Sequence, residues 1–177
     1  MRQIIIRYGL TAGIVIAIPT FFISVRLADH PPEKYGMVIG YTTMLVALSL
    51  VFAGIKRHRD HNLGGVIRFW PALGLGLAIS AIAGLFYVLT WESVLAVTGM
   101  DFGADYARLL IDQKRAAGAN VAEMAAFTAE MATFQRQYAN PLYRMPMTFA
   151  EILPVGVLVS LVSAGLLRNS RFLPARG

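Results

Sequence analysis

"GIKRHRDHNLGGVIRF" (residues 54–69) sets Lys56, Arg57, Arg59 and Arg68, with the single acid Asp60, between two long apolar runs. That order fits a chain that leaves a bilayer, turns at a charged surface and re-enters. Uncharged runs at residues 8–25, 35–55 and 69–91 bracket and accompany it, and a fourth, 145–167, is interrupted only by Glu151. A helix needs roughly 20 apolar residues to cross ~30 Å of hydrocarbon. Helices buried in soluble proteins are rarely so long and so evenly apolar. The pattern predicts four membrane spans, at about 5–26, 35–56, 69–92 and 146–168.

Composition agrees. The chain has 177 residues, of which 56% are hydrophobic and 15% charged, with a mean hydropathy of +0.58. A soluble domain carries about a quarter charged residues. The length suits a single membrane domain over residues 1–177. Cysteine is absent, which excludes disulfides, thiolate metal sites and cysteine nucleophiles. A net charge of +6 with pI ≈ 10.0 would suggest nucleic acid in a soluble protein, but no nucleic-acid-binding motif accompanies it.

The placement of charge says more than its sum. The N-terminal stretch (Arg2, Arg7), the 54–69 segment and the C-terminal stretch (Arg168, Arg171, Arg176) together carry nine basic residues and one acid. The alternate segments carry seven basic and nine acidic residues. Basic segments stay cytoplasmic, so both termini and the 54–69 loop are expected inside. Trp70 and Trp91, 21 residues apart, would mark the two interfaces of the third span, roughly 32 Å from each other. The first span has a basic start like a signal peptide. Pro19, the Phe21–Phe22 pair and Arg26 stand where small residues would mark cleavage, so a retained helix is expected. The linker at 28–34, with Pro31–Pro32, is too short for a domain.

Residues 99–141 form the one long hydrophilic insert, expected outside as two amphipathic helices near 101–117 and 121–139. Phe102, Tyr106, Leu109 and Leu110 line a face of the first, and Arg108 and Asp112 stand at i, i+4 on its polar side. Gly118 breaks it, Asn120 with Glu123 resembles a capping box, and Asn140–Pro141 ends the second helix. Met124, Phe127, Met131, Phe134 and Tyr138 make a stripe on that second helix. The stripe either closes the hairpin or, through Met124, Phe127, Met131 and Phe134, offers a surface to a partner or the outer membrane face. The expected fold class is thus all-α: an integral membrane four-helix bundle with an extracytoplasmic amphipathic helical hairpin between the third and fourth spans.

Small residues recur four apart on every span: Gly9, Gly13 and Ala17; Gly36 and Gly40; Gly76, Ser80 and Gly84; Gly156, Ser160 and Ala164. Such faces let helices approach closely in lipid, within one chain or between copies. "LSLVFAGIKR" (48–57) echoes "VSLVSAGLLR" (159–168), which fits either two hairpins in parallel repeat or convergent membrane-exit sequence.

Glu151 is the leading ionisable candidate. It lies 16 residues before Leu167, roughly 24 Å from the inner boundary and inside the outer edge of the hydrocarbon. Glu92 follows Trp91 at the same expected depth, so the two carboxylates can share or relay a proton if their helices pack. The structural alternative is a solvated Glu92, with Glu151 paired to Arg144 or Arg26. Pro154 would kink the helix near Glu151. His58, Asp60 and His61 have a loose ligand spacing, but the surrounding cations disfavour a metal, and no metal or cofactor is expected. Lys56, Arg57, Arg59 and Arg68 are better suited to anionic lipid headgroups. Leu63–Gly64–Gly65 reads as a turn, not a phosphate loop, because no Gly-Lys-Ser/Thr follows. No nucleophile–base pattern or nucleotide motif is present, so a non-enzymatic protein is expected.

"GMVIGYTTM" (36–44), "GIKRHRD" (54–60), "LGGVIRF" (63–69), "YVLTW" (87–91), "NPLYR" (140–144) and "MTFAEILPVGVLVSLVSAGLLR" (147–168) together resemble the bacterial domain-of-unknown-function family 4199. The likeness covers nearly the whole chain and includes Glu151. It implies a small bacterial inner-membrane protein and brings no activity with it. Three functions follow as expectations. The first is a structural or accessory membrane protein whose external hairpin contacts a partner or a second copy. The second is a small proton-linked transporter or permease component using Glu151 and Glu92. The third is a membrane enzyme acting on lipid.

Overall fold

The computed structural model describes residues 1–27 and 36–174, and the regular structure among them is helical throughout. Six helices follow in order: α1 (Arg2–Arg26), α2 (Gly36–Asn62), α3 (Phe69–Thr98), α4 (Phe102–Ala116), α5 (Val121–Tyr138) and α6 (Pro141–Leu167). The expected 28–34 linker, with Asp29, Glu33 and Lys34, lies outside the described residues, as does Arg176.

The four helices α1, α2, α3 and α6 are long and apolar enough to cross a membrane. A helix closes its backbone hydrogen bonds within itself, which lipid demands and water does not. Hydroxyls follow the same rule: Thr11, Thr42, Thr43 and Thr90 each donate to the carbonyl four residues back, at 2.7 to 2.9 Å. Only 22% to 39% of the residues in each apolar window are buried inside the protein. Ile14, Ile18, Phe22, Leu85, Leu89 and Val162 lie on the outside. Exposed to water, such a surface would oppose solubility by about 25 cal/mol per Å²; against lipid tails it carries no such penalty. The chain therefore reads as a membrane protein.

Three helix ends differ from expectation. α2 does not stop near residue 56 but runs on to Asn62, so most of the supposed 54–69 loop is helix. The Lys56–Asp60 pair at i, i+4 supports the added turns, and Arg59 and His61 complement the negative end of the helix dipole. Only residues 63–68 connect α2 to α3. Gly64 and Gly65 turn with φ of 64° and 89°, and the Gly65 N–H donates to the Arg59 carbonyl at 2.9 Å. α3 continues past Trp91 to Thr98, ending at a left-handed Gly99. α6 begins at Pro141, not near 146. Asn140 accepts from the Leu142 N–H at 3.0 Å, and proline at the first helical position loses no bond. The helix runs on through Pro146 and Pro154.

α3 packs mainly on α1 and α6, and α2 on the same two, so the order around the bundle is α1–α2–α6–α3. α1 and α3 are parallel neighbours: Gly9 faces Ile82 and Gly13 faces Phe86. α3 and α6 are antiparallel: Gly76 meets Ser160 and Gly84 meets Ile152. A Cβ on Gly13 would lie 2.5 Å from the Phe86 ring, and one on Gly76 2.8 Å from the Ser160 hydroxyl. The small-residue faces of α1, α3 and α6 thus serve packing within the chain, whereas Gly40 has nothing within 4 Å. The ring order also bears on the sequence echo. Two hairpins related by a two-fold axis along the bundle would put α1 diagonally across from α3, yet these helices are adjacent. A single core results, built around Ile16, Leu48, Val51, Ile55, Leu75 and Ile79.

Candidate functional site

The polar residues of the bundle collect at its two ends. At one end stands the α4–α5 hairpin. Asp101 caps α4 by accepting from the Ala104 N–H at 3.0 Å. Asn120 and Glu123 form the expected reciprocal box at 2.9 and 3.0 Å, just after Gly118 turns with φ of 82°. Arg108 pairs with Asp105, not with Asp112 as the spacing suggested; Asp112 pairs with Arg115. These ion pairs are exposed and contribute little.

The apolar stripe of α5 turns toward α4. Met131 is buried, and the Phe134 ring lies 5.9 Å from Tyr106 and 5.4 Å from Tyr138. Phe127 is half-buried under the Lys114 ammonium, 5.7 Å from its ring centre, and Met124 is half-buried. Of the two readings of this stripe, closure of the hairpin is the one the structure fits, and Met124, Phe127, Met131 and Phe134 lie largely in the hairpin's own interior. The reason is economy of apolar area: two short helices with one stripe each leave water by joining stripes. The alanine-rich face of α5 (Ala122, Ala125, Ala126, Ala129) is what stays exposed.

Tyr138, at the end of α5, joins the hairpin to the bundle. Tyr87, Trp91 and Glu92 of α3 sit within five residues, so the first two share a helix face. The Trp91 indole N–H donates to the Tyr138 hydroxyl at 2.8 Å. Trp91 also meets Phe102 edge-on at 5.0 Å, and Phe102 lies 5.5 Å from Tyr138. Arg144, in the first turns of α6, grips both carboxylate oxygens of Glu92 through Nε (2.7 Å) and Nη2 (2.5 Å). Its Nη1 donates to the Tyr138 backbone carbonyl at 3.2 Å, and its guanidinium lies 5.7 Å from the Tyr138 ring centre. One arginine thus ties α3, α5 and α6 together and satisfies a carbonyl at the negative end of α5. Burial pushes the Tyr138 phenol up to about 12; the Trp91 N–H pulls against this and the Glu151 carboxylate adds to it. A cleft of about 310 Å³ opens beside the junction, lined by Glu92, Gly99, Asp101, Phe102, Tyr138 and Arg144.

Glu151 lies on the outside of α6, seven residues or two turns beyond Arg144. Its Oε2 accepts from the Tyr87 hydroxyl at 3.2 Å. Arg144 therefore serves Glu92 and not Glu151, and among the described residues Arg26 forms no ion pair. Each carboxylate has its own partner, so the arrangement is not that of a pair sharing a proton. Inward from Glu151 the α3–α6 seam is filled by Gly84 against Phe149 and Ile152, until Ser80 and Ser160 meet at 3.4 Å.

The opposite end is basic. Arg59 was expected among headgroups but is fully buried. The continuation of α2 turns it inward, where Nε meets Asp60 at 2.6 Å and Nη1 and Nη2 donate to the carbonyls of Phe172 and Leu173. Lys56 also pairs with Asp60. Arg57 and Arg68 remain exposed. His58 faces inward with Nδ1 unpartnered, whereas His61 is exposed, so the two do not converge. No group of three metal-binding side chains occurs among the described residues.

Sequence reasoning missed Tyr87 and gave Arg144 to the wrong acid. The i, i+4 spacing of Tyr87 and Trp91 was the available signal for one face. Nothing in the linear order says which carboxylate an arginine on another helix will reach.

The family model described as "Protein of unknown function (DUF4199)" matches residues 7–169, and the chain belongs to that family. Among curated proteins and among solved structures, nothing matches.

Proposed function

We propose that this member of the DUF4199 family is a non-enzymatic accessory protein of the bacterial inner membrane, with both termini cytoplasmic and the α4–α5 hairpin held outside as a docking module. The observation that carries this reading is the junction at Tyr138. A loose hairpin needs no ion pair, indole bond and aromatic cluster to fix it on the bundle; a presented surface does. The excess of basic residues at the other end supports the orientation. On this reading the exposed alanine-rich face of α5 takes the partner, a protein or a second copy, and Lys56, Arg57 and Arg68 meet anionic headgroups.

The absence of cysteine makes the test clean. Single cysteines at Ala126 and at Asn62 are labelled in intact cells with a membrane-impermeant maleimide. Labelling at Ala126 alone agrees with the orientation, and labelling at Asn62 alone overturns it. A photocrosslinking residue at Ala125 or Ala129 then reads the docking face. A protein adduct is expected; recovery of only lipid adducts or none ends the docking idea.

Proton-linked transport is the second reading, favoured by the carboxylate of Glu151 at the edge of the span. The close-packed seam inward of it weighs against a polar path. Glu151→Gln separates the two in proteoliposomes: transport requires a loss of proton flux, whereas the accessory role leaves the flux at that of empty vesicles in both proteins.

A further inference from the structure

The basic end contains a cleft that gives the headgroup contact proposed for Arg57 a defined site. It has a volume of about 400 Å³ and lies between the start of α1 and the end of α2, lined by Arg2, Gln3, Arg7, Tyr8, Arg57 and His61. That size suits a small-molecule group. Arg57 and His61 are four residues apart on one face of α2, and the antiparallel α1 brings Arg2 and Arg7 opposite them. The only acidic side chain at this end among the described residues, Asp60, is already held by Arg59 and Lys56. Arg2, Arg7 and Arg57 have no acidic partner among the described residues, and the first turn of α1 carries no acid. Three like charges gathered in a concavity without a counter-charge are a receptor for an anion.

A second feature points to the source of that anion. From Arg2 along α1, every fourth residue is a large apolar side chain on the outside: Ile6, Leu10, Ile14 and Ile18, exposed by 41% to 54%. A headgroup in the cleft would have its acyl chains laid along this track.

We infer that the α1–α2 cleft binds a phosphate-bearing anion, namely the headgroup of an anionic phospholipid, with Arg2, Arg7 and Arg57 on the phosphate and Tyr8 and His61 on the polar remainder. The inference rests on membrane insertion, as the proposed function does, but not on which side of the membrane the cleft faces. Arg168 and Arg171 are equally basic and lie outside it.

The full chain in detergent is titrated with phosphatidylglycerol and, separately, phosphatidylcholine, and bound lipid is read by native mass spectrometry. Phosphatidylglycerol is expected to bind at least about tenfold tighter. Arg7→Gln/Arg57→Gln should weaken it by about thirtyfold, and Arg168→Gln/Arg171→Gln, with the same charge removed, by less than about threefold. Equal weakening in the two double variants, or equal binding of the two lipids by the unaltered chain, overturns the site. Displacement of phosphatidylglycerol by millimolar inorganic phosphate overturns the lipid assignment and makes a soluble phosphate compound the ligand. If Arg7→Gln/Arg57→Gln does not fold, the comparison of lipids on the unaltered chain and the charge-preserving Arg7→Lys/Arg57→Lys decide. Because no step uses membrane sidedness or a partner, failure here leaves the maleimide and crosslinking outcomes untouched, and the reverse also holds.

Discussion

Arg144→Gln should release the hairpin while leaving the bundle intact. The Glu92–Arg144 pair has two direct bonds and side-chain exposures of 22% and 14%, and Arg144 also holds the carbonyl of Tyr138. Breaking a fully buried pair costs about 3–5 kcal/mol, because the surviving charge is left unpaired. Partial exposure lets water relieve some of that, so about 2 kcal/mol is expected, or about thirtyfold in the opening equilibrium. α4 and α5, of 15 and 18 residues, have only each other to pack on once Tyr138 leaves the bundle, so detachment loosens both. Hydrogen exchange in detergent reads this directly. Amides of α4 and α5 should exchange about thirtyfold faster in Arg144→Gln, while those of α1 change by less than about threefold. Replacing both partners, as Glu92→Leu/Arg144→Met, should destabilise less than the two single changes added, since no orphan charge remains. Unchanged protection in α4 and α5, or equal loss in every helix, would refute the idea that this pair fastens the hairpin.

Other changes probe the remaining seams. Gly13→Ala drives a methyl into the Phe86 ring and should cost about 1–3 kcal/mol in detergent unfolding, whereas Gly40→Ala should be neutral or slightly stabilising. Arg59→Gln removes bonds to the carbonyls of Phe172 and Leu173, so trypsin should cut at Arg168 and Arg171 several times faster, with the helices still protected. Tyr138→Phe deprives the Trp91 N–H of its acceptor, at a cost of about 1 kcal/mol. A red shift in tryptophan emission would report it, over a constant background from exposed Trp70. In the unaltered chain the Tyr138 phenol, pushed from 10.0 up to about 12, adds stability that is fully present below pH 10 and lost as pH rises toward 12. Tyr138→Phe should flatten that part of the stability profile.

Much of this molecule was legible in one dimension. Hydrocarbon thickness fixes the length a span needs, so the four helices long and apolar enough to cross a membrane could be found by counting uncharged residues. Capping chemistry is local, and Asn120 with Glu123 behaves as its spacing says. The end of α2 was misread because a run of cations looks like a loop, although Lys56 and Asp60 were spaced to continue the helix. The candidate site was only half visible: Glu92 and Glu151 were named, but Arg144 was matched to the wrong one and Tyr87 was missed. Those partners lie 52 and 64 residues away in sequence.

The sequence by itself determined which segments are long and apolar enough to leave water for lipid, because transfer from water to lipid acts on each side chain independently of its neighbours in space. Only the tertiary structure decided that α1 lies beside α3, that the α5 stripe faces α4, and that Arg144 reaches Glu92 while Arg59 turns inward to the C-terminal carbonyls. Inside a bilayer every helix surface is about equally apolar, so hydrophobicity cannot choose neighbours. Close approach at a few glycines and the pairing of a few charges make that choice, and both depend on contacts between residues far apart along the chain.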